Sequence, residues 1–220
     1  MSAGPGRSIV IVLFFVALMA GCTAQDSPLP SAEVREYQGE KLSSIHDFRE
    51  NSIFGPQRVD LATYRLKITG LVDRELSLTY QEIIEGFSSH QKVVTLHCVE
   101  GWDVTILWNG FLLSDLLLTA GVRSEAKIAI FYAADGFTTT LPLEYLQSKQ
   151  ILLAYQMNGL ALPANRGFPF QLVAEAKYGY KWIKWVTKVE LSDNLNYRGY
   201  YEIHGFSNEA DLPQESTASP

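Results

Sequence analysis

Two dipeptides ending in glycine, each set between apolar runs, constrain this chain most. Asp135-Gly136 separates "AKIAIFYA" from "FTTTL", and Asn158-Gly159 separates "ILLAYQM" from "LALP". Glycine enters the left-handed turn region without a Cβ clash, so each dipeptide folds its flanking runs into a hairpin. Other segments extend the strand pattern. "TYRLKITG" puts Tyr64, Leu66 and Ile68 on one face and Arg65 and Lys67 on the other, a half-buried strand. "QKVVTLHC" is rich in β-branched residues and ends at Cys98, while "PFQLVA" and "WVTKVELS" read as further strands. Helical signals are brief. Thr79 and Glu82 stand at capping-box spacing before Ile83 and Ile84, and "FLLSDLLLTAG" is stopped by Gly121. Helices this short do not build repeated βαβ units, so the expectation is α+β with mixed or antiparallel sheets and short helices.

The two ends read differently from the middle. Arg7 precedes the apolar block Ile9–Ala20, which is shorter than the roughly 20 residues of a membrane-spanning helix and fits a signal-peptide core. It closes in "LMAGC", which resembles the bacterial lipobox. The expectation is a lipoprotein signal peptide over 1–21 with Cys22 lipidated, holding the protein on the extracytoplasmic face of a membrane in the cell envelope. Residues 22–45 are polar without sustained apolar period and read as a tether, 46–205 as one domain, and 206–220 as a disordered tail. A hydrophobic share of 47% supports a sizeable core in that domain. The formal charge of -6 argues against nucleic acid as a partner, because phosphate binding needs clustered Lys and Arg.

If Cys22 carries lipid, Cys98 has no intramolecular partner, since the chain has 2 cysteines. Three readings of Cys98 compete. It can be a small buried hydrophobe. It can be a nucleophile, although His97, adjacent on a strand, points to the opposite face and is poorly placed to activate it. It can be a metal ligand; the four histidines His46, His90, His97 and His204 are scattered without zinc-site spacing, but one thiolate suffices when a cofactor brings the other ligands.

The cluster "LHCVEGW", then "WNGFLLSDLLLTAG", then "GLALPANRGFPFQLVAEAKYGYKWIKWVTKVEL" resembles the molybdopterin-binding oxidoreductase domain of the sulfite oxidase superfamily over roughly Asp47 to Asp193. Within it the similarity is to bacterial periplasmic catalytic subunits of the methionine sulfoxide reductase type. The resemblance implies a sulfite-oxidase-like fold and a molybdenum–molybdopterin cofactor. It further implies oxygen-atom transfer on a small sulfur- or nitrogen-containing compound, in a monomer served by a membrane haem protein or other redox partner. Cys98 would be the metal ligand, with Glu100, Trp102 and Asp135 beside the reacting centre. Asn51, Arg166, Lys177, Lys181, Trp182, Ile183 and Lys184 would hold the cofactor.

Departures accompany the match. Gln171 stands where related chains carry an arginine, Ala133 replaces a pterin-contacting threonine, and Trp182 takes a place often held by glycine. The leader has one arginine rather than the pair that marks export of folded, cofactor-loaded proteins. These departures motivate an alternative: a non-catalytic lipoprotein that keeps the fold as a binding or assembly module without cofactor.

Overall fold

The computed structural model describes Met1 and residues 32–213; the leader, Cys22 and residues 214–220 lie outside the described residues. The first ordered elements are a small hairpin of β1 (Glu36–Tyr37) and β2 (Glu40–Lys41). Then come β3 (Leu66–Gly70), β4 (Leu76–Leu78) and α1 (Tyr80–Gly86), whose Thr79 and Glu82 form the capping box read from the sequence. β5 (Ser89–His97) and β6 (Asp103–Leu112) lead into α2 (Leu113–Ala120). Gly121 ends that helix at φ 72°, its N–H reaching Leu117 O and Leu118 O. β7 (Ile128–Ala133), β8 (Thr138–Pro142), α3 (Leu143–Ser148), β9 (Leu152–Met157) and β10 (Leu160–Ala161) follow. β11 (Gln171–Val173), β12 (Val186–Ser192) and α4 (Tyr200–Ile203) complete the set.

Two five-stranded sheets result. One runs β10-β9-β6-β5 with β11 also paired to β9, all antiparallel. The other runs β4-β3-β12-β7-β8 and is mixed, because β12 lies parallel to β3 and antiparallel to β7. Both expected hairpins form, β7 with β8 and β9 with β10. Asn158 and Gly159 take φ 47° and 78°, the turn for which that dipeptide is suited. The α+β reading with mixed and antiparallel sheets is therefore what the chain adopts. One buried cluster draws on both sheets, with Trp108, Phe111, Phe131, Phe170 and Ile68 among its members.

The strand that joins β5 to β9, β6, has no clear mark in the sequence. Leu112 ends the strand and starts α2 without a capping side chain, so no turn residue signals the junction. Gly110 has a packing reason: a Cβ there would lie 2.3 Å from Leu153 O of β9.

The boundaries of the domain also differ from expectation. The stretch read as tether is packed from Glu33 onward, where the carboxylate accepts from Ile45 N–H at 2.7 Å and from the buried Asn158 amide at 2.9 Å. Asn158 also donates to Ser43 O and accepts from Leu107 N–H, so one turn residue docks the whole segment. The stretch read as tail is packed as far as Leu212: Tyr178 N–H donates to Ala210 O at 2.8 Å and Leu212 N–H to Ala176 O at 3.1 Å. Polar composition hid these interactions, since Asn158, which docks the first segment, lies 125 residues from Glu33, and the tail's partners lie some thirty residues away.

Candidate active site

β5 ends at His97 and delivers Cys98 into a tight loop. Cys98 N–H donates to Trp102 O at 2.9 Å, Gly101 N–H donates to Cys98 O at 3.1 Å, and Gly101 sits at φ 79°, which its missing side chain permits. The loop aims Cys98, Val99, Glu100 and Trp102 at a cavity of about 230 Å³. His97 does not line it; its ring lies 4.0 Å from Asp103 instead, as the alternation of strand side chains requires.

The same cavity gathers Asn51, Asp135, Arg166, Trp182, Ile183 and Lys184. Of the residues that the resemblance assigns to the reacting centre and the cofactor, all meet there except Lys177 and Lys181. Those two ammonium groups point elsewhere. Lys177 pairs with Asp211 at 2.5 Å, and Lys181, fully buried, pairs with Glu202 and donates to Thr140 O at 3.0 Å. Ala133, named as a departure, is also outside the lining, whereas Gln171 is part of it. Tyr180, Tyr201, Phe206 and Arg49 line it too and were not anticipated. For Phe206 the sequence held no signal, because its segment reads as tail.

Two neighbourhoods can be distinguished by charge. Around Cys98, burial pushes the thiol above its ordinary range, and the Glu100 carboxylate adds to this while backbone N–H groups and Arg49 oppose it. The Trp102 indole donates to Glu100 Oε2 at 3.1 Å, which orients that carboxylate. The thiol is thus a neutral group near pH 7 and a poor nucleophile by itself. Among the described residues no group of three or more His, Cys, Asp or Glu side chains is placed to hold a metal. Cys98 is consequently a single soft donor, and any metal bound to it must bring its other ligands.

The second neighbourhood is cationic. Lys184 lies 3.1 Å from Glu50 and 4.5 Å from the Trp185 ring centroid; burial pulls its pKa down and Glu50 opposes this. Arg166 closes the short 3-10 turn Ala164–Arg166 and is buried. Among the described residues its two terminal nitrogens donate to backbone carbonyls alone, Arg49 O at 3.3 Å and Phe48 O at 3.4 Å, and its Nε has no partner. Gln171 Oε1, on the same cavity, is also buried without a partner. Buried polar atoms are ordinarily satisfied. A buried cation without an anion and a buried amide oxygen without a donor, on two residues that line one cavity beside a thiol, suit a polar, anionic, metal-carrying cofactor.

An α+β domain that presents one cysteine and a cationic pocket on a shared cavity is suited to a cofactor that brings metal ligands of its own. Comparison with known proteins agrees. Residues 54–201 match the oxidoreductase molybdopterin binding domain. The uncharacterized oxidoreductase YuiH of Bacillus subtilis is 32% identical over 157 residues, covering 71% of this chain and 78% of the relative. The protein-methionine-sulfoxide reductase catalytic subunit MsrP of Xanthomonas campestris is 26% identical, with 84% of this chain and 68% of the relative aligned. Among solved structures, the sulfane dehydrogenase SoxCD of Paracoccus pantotrophus superposes with a TM-score of 0.61 at 27% identity, covering 64% of this chain and 41% of that one, so the chain spans about two fifths of that structure. The chain belongs to the oxidoreductase molybdopterin binding domain family. It has the sulfite-oxidase-like fold and is a molybdopterin-dependent oxidoreductase.

Proposed function

We propose that the protein is a membrane-tethered molybdenum–molybdopterin oxidoreductase that performs oxygen-atom transfer on a small sulfur- or nitrogen-containing compound at the extracytoplasmic face. The observation that carries this reading is that Cys98, the one cysteine among the described residues, shares a cavity with Arg166 and Gln171, whose Nε and Oε1 are buried without a partner among those residues. When bound, the cofactor supplies a two-electron couple and exchange of one oxygen atom with substrate. Cys98 would give its thiolate to the metal, and the positive ion removes the obstacle that burial sets against ionisation. Arg166, Lys184 and Gln171 would hold the anionic tail of the pterin, with Trp182 and Ile183 closing the apolar side. With Gln171 in place of an arginine, Arg166 is the buried guanidinium on this cavity, and it would meet the pterin phosphate.

Glu100, oriented by the Trp102 indole, can hold or pass a proton at Oε1, the oxygen that Trp102 leaves open. Asp135 is held by Phe137 N–H at 3.0 Å, so its role is to shape the turn at the cavity wall. Asn51 accepts from the Tyr201 hydroxyl at 3.2 Å, which fastens the segment before β3 across the cavity. Membrane attachment in this reading rests on lipidated Cys22, since among the described residues no helix is long and apolar enough to cross a membrane. The names of MsrP and SoxCD both refer to sulfur chemistry, which supports the sulfur side of the substrate class. The word "subunit" in the former supports a separate electron partner, for which a membrane haem protein is the candidate.

The test is metal and pterin analysis of the protein produced with an intact cofactor pathway. One molybdenum per chain is expected, lost in Cys98→Ala with circular dichroism unchanged. Absence of metal and pterin under those conditions would leave the cofactor-free binding module as the reading.

A further inference from the structure

Lys177 and Lys181 fasten the C-terminal segment, and that segment brings rings to the cavity. Phe206 keeps 39% of its surface exposed while lining the cavity. Its ring lies 5.3 Å from Tyr180 and 5.1 Å from Tyr201, and those two are 5.7 Å apart. Cys98 and Glu100 both oppose ionisation of the Tyr201 hydroxyl, as groups beside it would, although burial contributes most. The cluster is held from behind. Buried Lys181 pairs with buried Glu202 and reaches Asn208 Oδ1 at 3.3 Å, while the Tyr180 hydroxyl donates to Ser207 O at 2.8 Å. Gly199 lies so close to β8 that a Cβ there would meet Thr138 O at 2.4 Å. A buried ion pair is weak evidence for stability. Its place beneath Tyr201 and Phe206 suggests a positioning role.

We propose that Tyr180, Tyr201 and Phe206 form the substrate-recognition wall, with Lys181 and Glu202 as positioning residues. The substrate would be an organic sulfur or nitrogen compound whose apolar substituent lies on these rings. This rests on the reading of Cys98 as ligand of the reacting centre. Rings gain by covering methylene and sulfur groups, whereas a compact inorganic oxyanion is recognised by donors. Glu202 and Phe206 lie beyond residues 54–201, so the family match does not account for them.

The test needs no turnover. N-alkylmaleimides from methyl to butyl react with Cys98 of the full chain free of molybdenum, at one alkaline pH. The rate at Cys98, read by peptide mass, is divided by that of a small free thiol. The wild-type ratio is expected to rise by up to about fourfold per methylene. Phe206→Ala should flatten the rise and Phe206→Leu should keep most of it; a wild-type ratio flat in alkyl length overturns the proposal. The double variant K181M/E202L, which leaves no unpaired charge behind, should keep the fold and lower the slope, and an unchanged slope removes the positioning role. In the loaded enzyme, kcat/KM for methyl alkyl sulfoxides should follow the same slope through KM, and active enzyme indifferent to alkyl length also overturns the wall. Protein that takes up no molybdenum fails the cofactor reading instead, and the maleimide slope still decides the wall.

Discussion

Arg166 and Lys181 are both buried cations, and they are satisfied in opposite ways. Lys181 has its anion inside the protein, in Glu202, with Thr140 O and Asn208 completing the set. Arg166 lines a cavity and has, among the described residues, no carboxylate within ion-pair distance, two long bonds to backbone carbonyls, and a buried Nε without a partner. Burying a charge is unfavourable unless it is paired. A cation whose partner is built in therefore serves the fold, and one without a built-in anion is the one proposed to serve a ligand. The family resemblance puts both on the cofactor list, Arg166 from "NRGFP" and Lys181 from "KYGYKWIK".

The largest effect that tests this contrast is on Lys181. Lys181→Met leaves Glu202 charged and unpaired in the interior and should destabilise the chain by about 3–5 kcal/mol, read as a fall in Tm with or without cofactor. A Tm unchanged in K181M would erase the distinction. Arg166→Met should behave in reverse. Stability of the cofactor-free chain should stay within about 1 kcal/mol, since the two long hydrogen bonds and the contact of the guanidinium with the Phe48 ring at 4.8 Å are offset by removal of an unpaired buried charge, while pterin retained through purification falls at least about tenfold. Equal pterin in wild type and R166M would show that the open Nε awaits nothing.

What could be read from the chain follows the same division between local and distant causes. Both hairpins, the capping box of α1 and the end of α2 at Gly121 depend on turn and cap residues next to one another, and all appear where the sequence puts them. β6 has no such punctuation, and the parallel pairing of β3 with β12 joins residues about 120 apart in the chain, for example Ile68 with Val189. In the site, Cys98, Glu100 and Trp102 were legible because one short loop carries them. Lys181 and Lys184 are three residues apart, yet the 3-10 turn Gly179–Lys181 sends the first into the interior toward Glu202 while the second reaches the cavity. Spacing along the chain carries no information about that choice. Phe206 was illegible for a related reason: lysines some thirty residues earlier decide that its polar-looking segment packs.

A smaller effect separates the two cations by ligand alone. Inorganic pyrophosphate, added to cofactor-free protein at ten times its dissociation constant, should stabilise the wild type by about 1.4 kcal/mol. R166M should lose this. Glu50→Gln should bind pyrophosphate more tightly, because Glu50 now occupies Lys184. Equal shifts in wild type and R166M would place the anion elsewhere.

Cys98 extends the contrast to a group that lacks a cation rather than an anion. Burial raises its pKa first, Glu100 adds to it, and Arg49 with the neighbouring N–H groups does not cancel them. A folded-state pKa above the unfolded one contributes stability that is fully present below the unfolded value and is lost as pH rises through the folded value. Cofactor-free wild type should therefore lose stability relative to Cys98→Ala as the solution is brought up through the alkaline thiol range, and alkylation of Cys98 should reach half its maximal rate above the pH of a free cysteine. In loaded protein both dependences should vanish, since a metal-bound sulfur has no proton left to lose. A thiol that titrates at or below the free value in the cofactor-free chain would instead mark Cys98 as a nucleophile in its own right, and the pocket around Arg166 would then need a different ligand.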